Sequence, residues 1–107
     1  KSIRLNQLLT AVTSAPTTSS ANVGKNGYGL KSFFATVNGT GAQTATVIIE
    51  VSNDNLLWIT LGTITLSGTT SAQDGFVSNA PWAYHRARLT AISGTSATVA
   101  VTSGEEA

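Results

Sequence analysis

From Pro81 to Val101 the side chains alternate with a period of two. Ala83, His85, Ala87, Leu89 and Ala91 share one face, and Trp82, Tyr84, Arg86, Arg88, Thr90 and Ile92 share the other. With a turn at Ser93-Gly94-Thr95 before Ala97-Thr98-Val99-Ala100-Val101, this pattern predicts a long antiparallel strand pair, around which the rest of the chain is organised. Ala45, Val47, Ile49 and Val51 form a second clean face, opposed by Thr46, Ile48 and Glu50. Residues 30–37 carry Phe33 on one side and Phe34 on the other, which predicts a strand partly covered on both faces. Residues 57–66 alternate as a further strand, and residues 3–12 alternate until Leu8-Leu9 breaks the phase, as a strand with a bulge does.

The punctuation between these runs is that of an all-β chain. Asn38-Gly39-Thr40-Gly41 is a hairpin signal, since Asn-Gly is the favoured pair for a tight reversal. Ser52-Asn53-Asp54-Asn55 predicts a polar turn, residues 67–73 a small-residue loop, Asp74-Gly75 and Asn79-Ala80-Pro81 two more turns, and Gly104-Glu105-Glu106-Ala107 a polar tail. Residues 13–22 are hydroxyl-rich with one proline and read as an extended arm or loop. No helical periodicity of ordinary length and no internal repeat is present. Seven or eight short strands predict an antiparallel β-sandwich or barrel, with a jelly roll as the preferred version. The expected organisation is one domain, with an N-terminal strand and arm over residues 1–23 and the sandwich over residues 24–107.

Composition narrows the function more than it names it. Twelve serines and seventeen threonines stand beside only 10% charged residues and a net charge of +1, so the surface is hydroxylated and nearly uncharged. Such a surface suits a subunit covered by partners. No basic patch is present for nucleic acid, and no apolar run approaches the ~18 residues of a membrane span. Gly24-Lys25-Asn26-Gly27-Tyr28-Gly29 lacks the spacing of a phosphate loop and reads as a turn. With no cysteine and a single histidine, His85, neither a histidine-rich metal site nor a Cys-His nucleophile pair can be built within the chain. The five carboxylates define no acid and base pair, so no catalytic, metal or cofactor-binding residue is assigned and the chain is expected not to be an enzyme. The candidate interface residues are Trp82, Tyr84, Arg86 and Arg88, because aromatic and arginine side chains on one face are enriched at protein interfaces, together with Trp58 and the arm residues Leu5, Leu8 and Leu9.

The run from Ile48 to Ile64, with its Ser52-Asn53-Asp54 turn and Trp58 strand, is followed by Asp74-Gly75-Phe76 and by Pro81-Trp82-Ala83-Tyr84-His85-Arg86-Ala87-Arg88 and Ile92-Ser93-Gly94-Thr95. Over residues 45–101 this resembles the small virion structural proteins of tailed bacteriophages. The resemblance implies an all-β subunit on the capsid surface that decorates or cements the major capsid protein as a homo-oligomer, a trimer above all, with no cofactor. A third reading, after the carbohydrate-binding one below, keeps the virion but moves the subunit to the tail or head-tail junction. The same residues are similar to the discoidin-like jelly rolls, although Asn55 stands where glycine is usual there. That similarity implies a carbohydrate-binding module using Trp58, Trp82 or Tyr84 as stacking platforms.

Overall fold

The computed structural model describes residues 3–24 and 28–106. Residues 25–27 of the glycine-rich turn, and Ala107 of the expected tail, lie outside the described residues. The chain is all-β: β1 (Ile3–Val12), β2 (Thr17–Thr18), β3 (Asn22–Val23), β4 (Leu30–Ser52), β5 (Ile59–Ser78) and β6 (Tyr84–Glu106) form one antiparallel sheet. Its order is β1-β6-β4-β5, with β2 and β3 continuing the β1 edge along β6. Nothing in that order specifies a jelly roll.

The short strands expected from the sequence are instead three strands of 23, 20 and 23 residues, each bent once. Asn38-Gly39-Thr40-Gly41 is not a hairpin. Asn38 pairs with Ser71 and Ala42 with Thr69, so three residues of β4 oppose the single Thr70 of β5 and the strand turns a corner without reversing. Ser93-Gly94-Thr95 is a corner of the same kind in β6, and residues 67–73 are the corner of β5, not a loop. A line of left-handed residues marks the fold: Ala11 (φ 46°), Gly41 (φ 73°), Thr70 (φ 65°), Gly94 (φ 130°) and Ser96 (φ 55°), at least one in each long strand. Left-handed backbone inserted opposite a regular strand bends the sheet, as a β-bulge does. Asp74-Gly75 does not turn either. Gly75 pairs with Phe34, and a Cβ there would strike the carbonyl oxygen of Phe33, so the glycine serves a close backbone approach inside the sheet.

The corners fold the sheet into a sandwich. Panel one holds residues 30–38 of β4, 71–78 of β5, 98–106 of β6 and β1; panel two holds residues 42–52, 59–69 and 84–93 of the same three strands with β2 and β3. The panels touch where Phe33 of panel one meets His85 of panel two edge-on, with ring centroids 5.3 Å apart at 82°. Gly62 of panel two makes room for the Phe76 ring of panel one, which a Cβ would approach to 2.7 Å. Phe33, Ala35, Val37, Val99 and Val101 from one side, and Ala45, Val47, Ile49, Ile64, Leu66, Ala87 and Leu89 from the other, make one continuous core. The thinnest dimension, 18 Å, fits two sheets spaced about 10 Å apart with their outer side chains.

The N-terminal segment is held by the chain itself. Ile3 pairs with Glu106 and Leu5 with Gly104; a register shift between Gln7 and Leu9 gives the bulge that the Leu8-Leu9 pair predicts. Beyond it, Thr17 and Thr18 pair with Leu89 and Arg88, and Ser19 N–H donates to the Ala87 carbonyl at 2.8 Å. The expected polar tail is also corrected. Glu105 is an inward-facing residue of β6, 1% exposed.

Candidate functional site

Of the turns read from sequence, Ser52-Asn53-Asp54-Asn55 forms as expected. The Asp54 carboxylate accepts from the N–H groups of Leu56 and Leu57, both at 2.9 Å, and from Ser52 Oγ at 2.9 Å. Those donors, Leu57 first, hold the Asp54 pKa below the usual carboxylate value. The turn delivers Trp58 to the outer face of panel two, where it meets residues that alternation on β6 points the same way. The Arg86 guanidinium lies 4.1 Å from the Trp58 ring centroid. Its Nε donates to Glu50 Oε1 at 2.8 Å, while Arg88 Nε lies 3.4 Å from Glu50 Oε2. Glu50 is placed between them because it pairs with Arg86, and Ile48 with Arg88, across the β4–β6 ladder.

The structure therefore brings together Trp58, Arg86 and Arg88, with Tyr84 half-buried beside them, and adds Glu50, which the sequence reading passed over. One face of Trp58 and the single carboxylate are already satisfied within the chain. A partly exposed pair of this kind contributes no more than about 1 kcal/mol, and an exposed cation–π contact adds about the same. Trp82 stands just before β6 beside Val51, Leu57 and Ile59 in a shallow pocket of about 270 Å³. Its indole Nε1 is enclosed with no hydrogen-bond partner.

The three leucines of the arm separate. Leu9 is 4% exposed and belongs to the core, Leu8 packs partly against it, and Leu5 projects into solvent on panel one. There it joins an apolar surface that sequence reading did not assemble. Ile3, Leu5, Leu30, Phe34 and Val77 are each between 45% and 80% exposed. The β-ladders set Leu5, Gly104, Ser32 and Val77 in one row across four strands, with Ile3 and Leu30 in the next. Because Gly104 and Ser32 are small, the row dips in the middle and forms a groove of about 300 Å³ between apolar walls. The signal was present in the alternation of β1, β4 and β5, but it needs the strand order to be seen.

Between the panels, at the same end, lies a buried polar cluster. Lys31 Nζ donates to Glu105 Oε2 at 3.3 Å and to the Tyr28 carbonyl at 2.9 Å. Asn6 and Asn22 donate to Glu105 Oε1 at 3.1 and 3.3 Å. His85 Nε2 lies 2.8 Å from Ser103 Oγ and 3.2 Å from Asn22 Nδ2, while its Nδ1 has no partner. Burial pushes the His85 pKa down to about 4, against the pull of Glu105 and assisted by Lys31 and Arg4. The Ser103–His85 distance is that of a nucleophile and base, yet no carboxylate orients Nδ1 and both residues are at most 2% exposed. As built, the cluster fixes the packing of β1, β3, β4 and β6. Among the described residues no group of three metal-ligating side chains occurs.

No known protein family matches the sequence, and no curated protein matches it. Solved structures do match the fold. A protein derived from the SPBc2 prophage, YomS, superposes with a TM-score of 0.65 over 97% of this chain and 92% of its own, at 11% identity. The PBSX exported protein XepA superposes with a TM-score of 0.56 over 97% of this chain, at 14% identity, and the chain spans 37% of XepA. A protein of the disulfide-linked pili of Bacillus endospore appendages follows at 0.41 and 16% identity. The first two share this fold, and the first of them is prophage-derived.

Proposed function

We propose that this chain is a non-catalytic structural subunit of a bacteriophage particle that decorates the capsid surface and binds the major capsid protein lattice. The observation that carries the reading is the apolar outer face of panel one. Ile3, Leu5, Leu30 and Val77 from three strands line a groove whose floor is small, with Phe34 exposed on the same face, on a molecule with almost no charge to hold it apart from a neighbour. An exposed apolar surface of this kind, backed by a rigid sheet, marks a protein contact. Covering one such side chain completely contributes about 1.5–3 kcal/mol, so even partial burial of all five supplies a useful affinity. The sharing of this fold by a prophage-derived protein supports placing that contact in a phage particle.

Adhesion by this face is apolar, so attachment is insensitive to salt. The test is rebinding of purified chain to shells lacking it, at about 0.05 and 1 M sodium chloride. Equal binding at both, lost in the Leu5→Asp/Val77→Asp variant while its unfolding temperature holds, supports the reading. Release by salt, or unchanged binding of the double variant, refutes it. The geometry gives the carbohydrate alternative less support, because Arg86 already covers a face of Trp58 and the Trp82 indole nitrogen is enclosed.

A further inference from the structure

The two edges of the sheet are built differently. Along β6 the outer edge is broken up: β1 carries two register shifts, Pro16 offers no N–H, and β2 and β3 are two residues each. At the other end of the strand order, β5 runs for 20 residues with β4 on one side only, interrupted by a bulge at Leu61 and the corner at Thr70. Natural sheets guard such an edge with lysine, proline or a charge turned inward. Of these β5 has one acidic residue, Asp74, in panel one, where its Oδ1 accepts from the neighbouring Gly75 N–H at 2.8 Å. Its panel-two half, residues 59–68, has no charge, no proline and a run of threonine, isoleucine and leucine. The turn leading into it leaves Leu56, Leu57 and Ile59 between 57% and 80% exposed.

We propose that residues 59–68 of β5 pair, antiparallel and about a twofold axis, with the same residues of a second copy of this chain. The strand is complementary to itself. With the axis at residue 63, Thr63 faces Thr63 and Leu61 faces Thr65; with the axis at residue 64, Ile64 faces Ile64, Thr63 faces Thr65 and Gly62 faces Leu66. Leu61 is a bulge residue that packs toward the core, so strict alternation holds from Gly62 onward: about residue 64, inward side chains meet inward ones and outward meet outward over residues 62–66, and no like charges are opposed in either register. The Asp74 half cannot pair in this way without bringing two carboxylates close to the axis. A threefold ring would instead join β5 head to tail to the β6-side edge, where β1 carries two register shifts and β2 and β3 are two residues each. Twofold pairing joins the two panel-two sheets into one continuous sheet and lets the exposed Leu56, Leu57 and Ile59 of each copy meet the far end of its partner's strand. This inference rests on the fold and the edge, and it stands apart from the capsid reading.

The experiment is sedimentation equilibrium of the full chain with a charge-swapped pair of variants. Thr63 and Thr65 are exposed, so Thr63→Lys/Thr65→Lys and Thr63→Glu/Thr65→Glu leave the fold intact, which circular dichroism checks. The wild-type chain is expected to run at twice its 11.0 kDa mass. Each variant alone sets like charges opposite one another in either register and runs as a monomer, with association weakened at least about tenfold, whereas an equimolar mixture of the two returns to the dimer. Thr18→Lys on the other edge leaves the wild-type behaviour unchanged. A wild-type chain that stays monomeric at all concentrations, or one whose association ignores the β5 charges, overturns the proposal.

Discussion

Acid should destabilise this protein through His85. The ring is fully buried, edge-on to Phe33, with Nε2 on Ser103 and no partner at Nδ1. The charges facing it are Glu105, which favours the imidazolium, and Lys31 and Arg4, which oppose it; burial outweighs all three and sets the pKa at about 4. The unfolded chain titrates near the ordinary value of 6.5. Between those two values the unfolded state binds a proton that the folded state refuses, so stability falls as the pH drops below 6.5 and levels off below 4. The full difference corresponds to about 3 kcal/mol, of which about 2 kcal/mol is lost by pH 5. That is a sizeable share of the roughly 5–15 kcal/mol that holds a domain together. The assay is urea unfolding at intervals between about pH 7.5 and pH 4.5, on the wild type and on His85→Gln. The variant is less stable at neutral pH, but its stability changes much less with pH over that window. As His85 is the single histidine, its Cε1 proton resonance gives the pKa directly. Equal pH slopes in the two proteins, or a His85 that titrates near 6.5, would refute the reasoning.

Three further substitutions probe other parts of the frame. Gly75→Ala drives a methyl group into the Phe33 carbonyl and should cost at least about 2 kcal/mol in chemical denaturation, unlike the ordinary small effect of glycine to alanine in a strand. Lys31→Met leaves Glu105 without its ammonium partner and should cost about 3–5 kcal/mol, while Lys31→Met/Glu105→Met recovers most of the loss; equal damage in both would mean that the pair is not what is being read. Asp54→Asn should lower the unfolding temperature above the normal carboxylate pKa and make no difference at the acid end, because a depressed pKa adds stability that disappears as the pH falls through it.

The alternation of apolar and polar residues carried the strands, the outward and inward faces of β4 and β6, and the Ser52-Asn53-Asp54-Asn55 turn. It did not carry the corners. Asn38-Gly39-Thr40-Gly41 and Ser93-Gly94-Thr95 have the composition of reversals because left-handed backbone is needed in both cases; whether the chain turns back or only bends depends on the strand beside it. The same limit hid the apolar face. Ile3, Leu5, Leu30, Phe34 and Val77 lie far apart in sequence and become neighbours only once β6 is inserted between β1 and β4. Glu105 was hidden for another reason: beside Glu106 and Gly104 it has the local composition of a tail, and its burial depends on Lys31, 74 residues away.

The claim of widest consequence is that this chain is a structural component of a phage particle, and quantitative mass spectrometry of purified particles tests it most directly. Hundreds of copies per particle, in fixed ratio to the major capsid protein, are the expected result. Six or twelve copies would move the subunit to the tail, and its absence from washed particles would contradict the account.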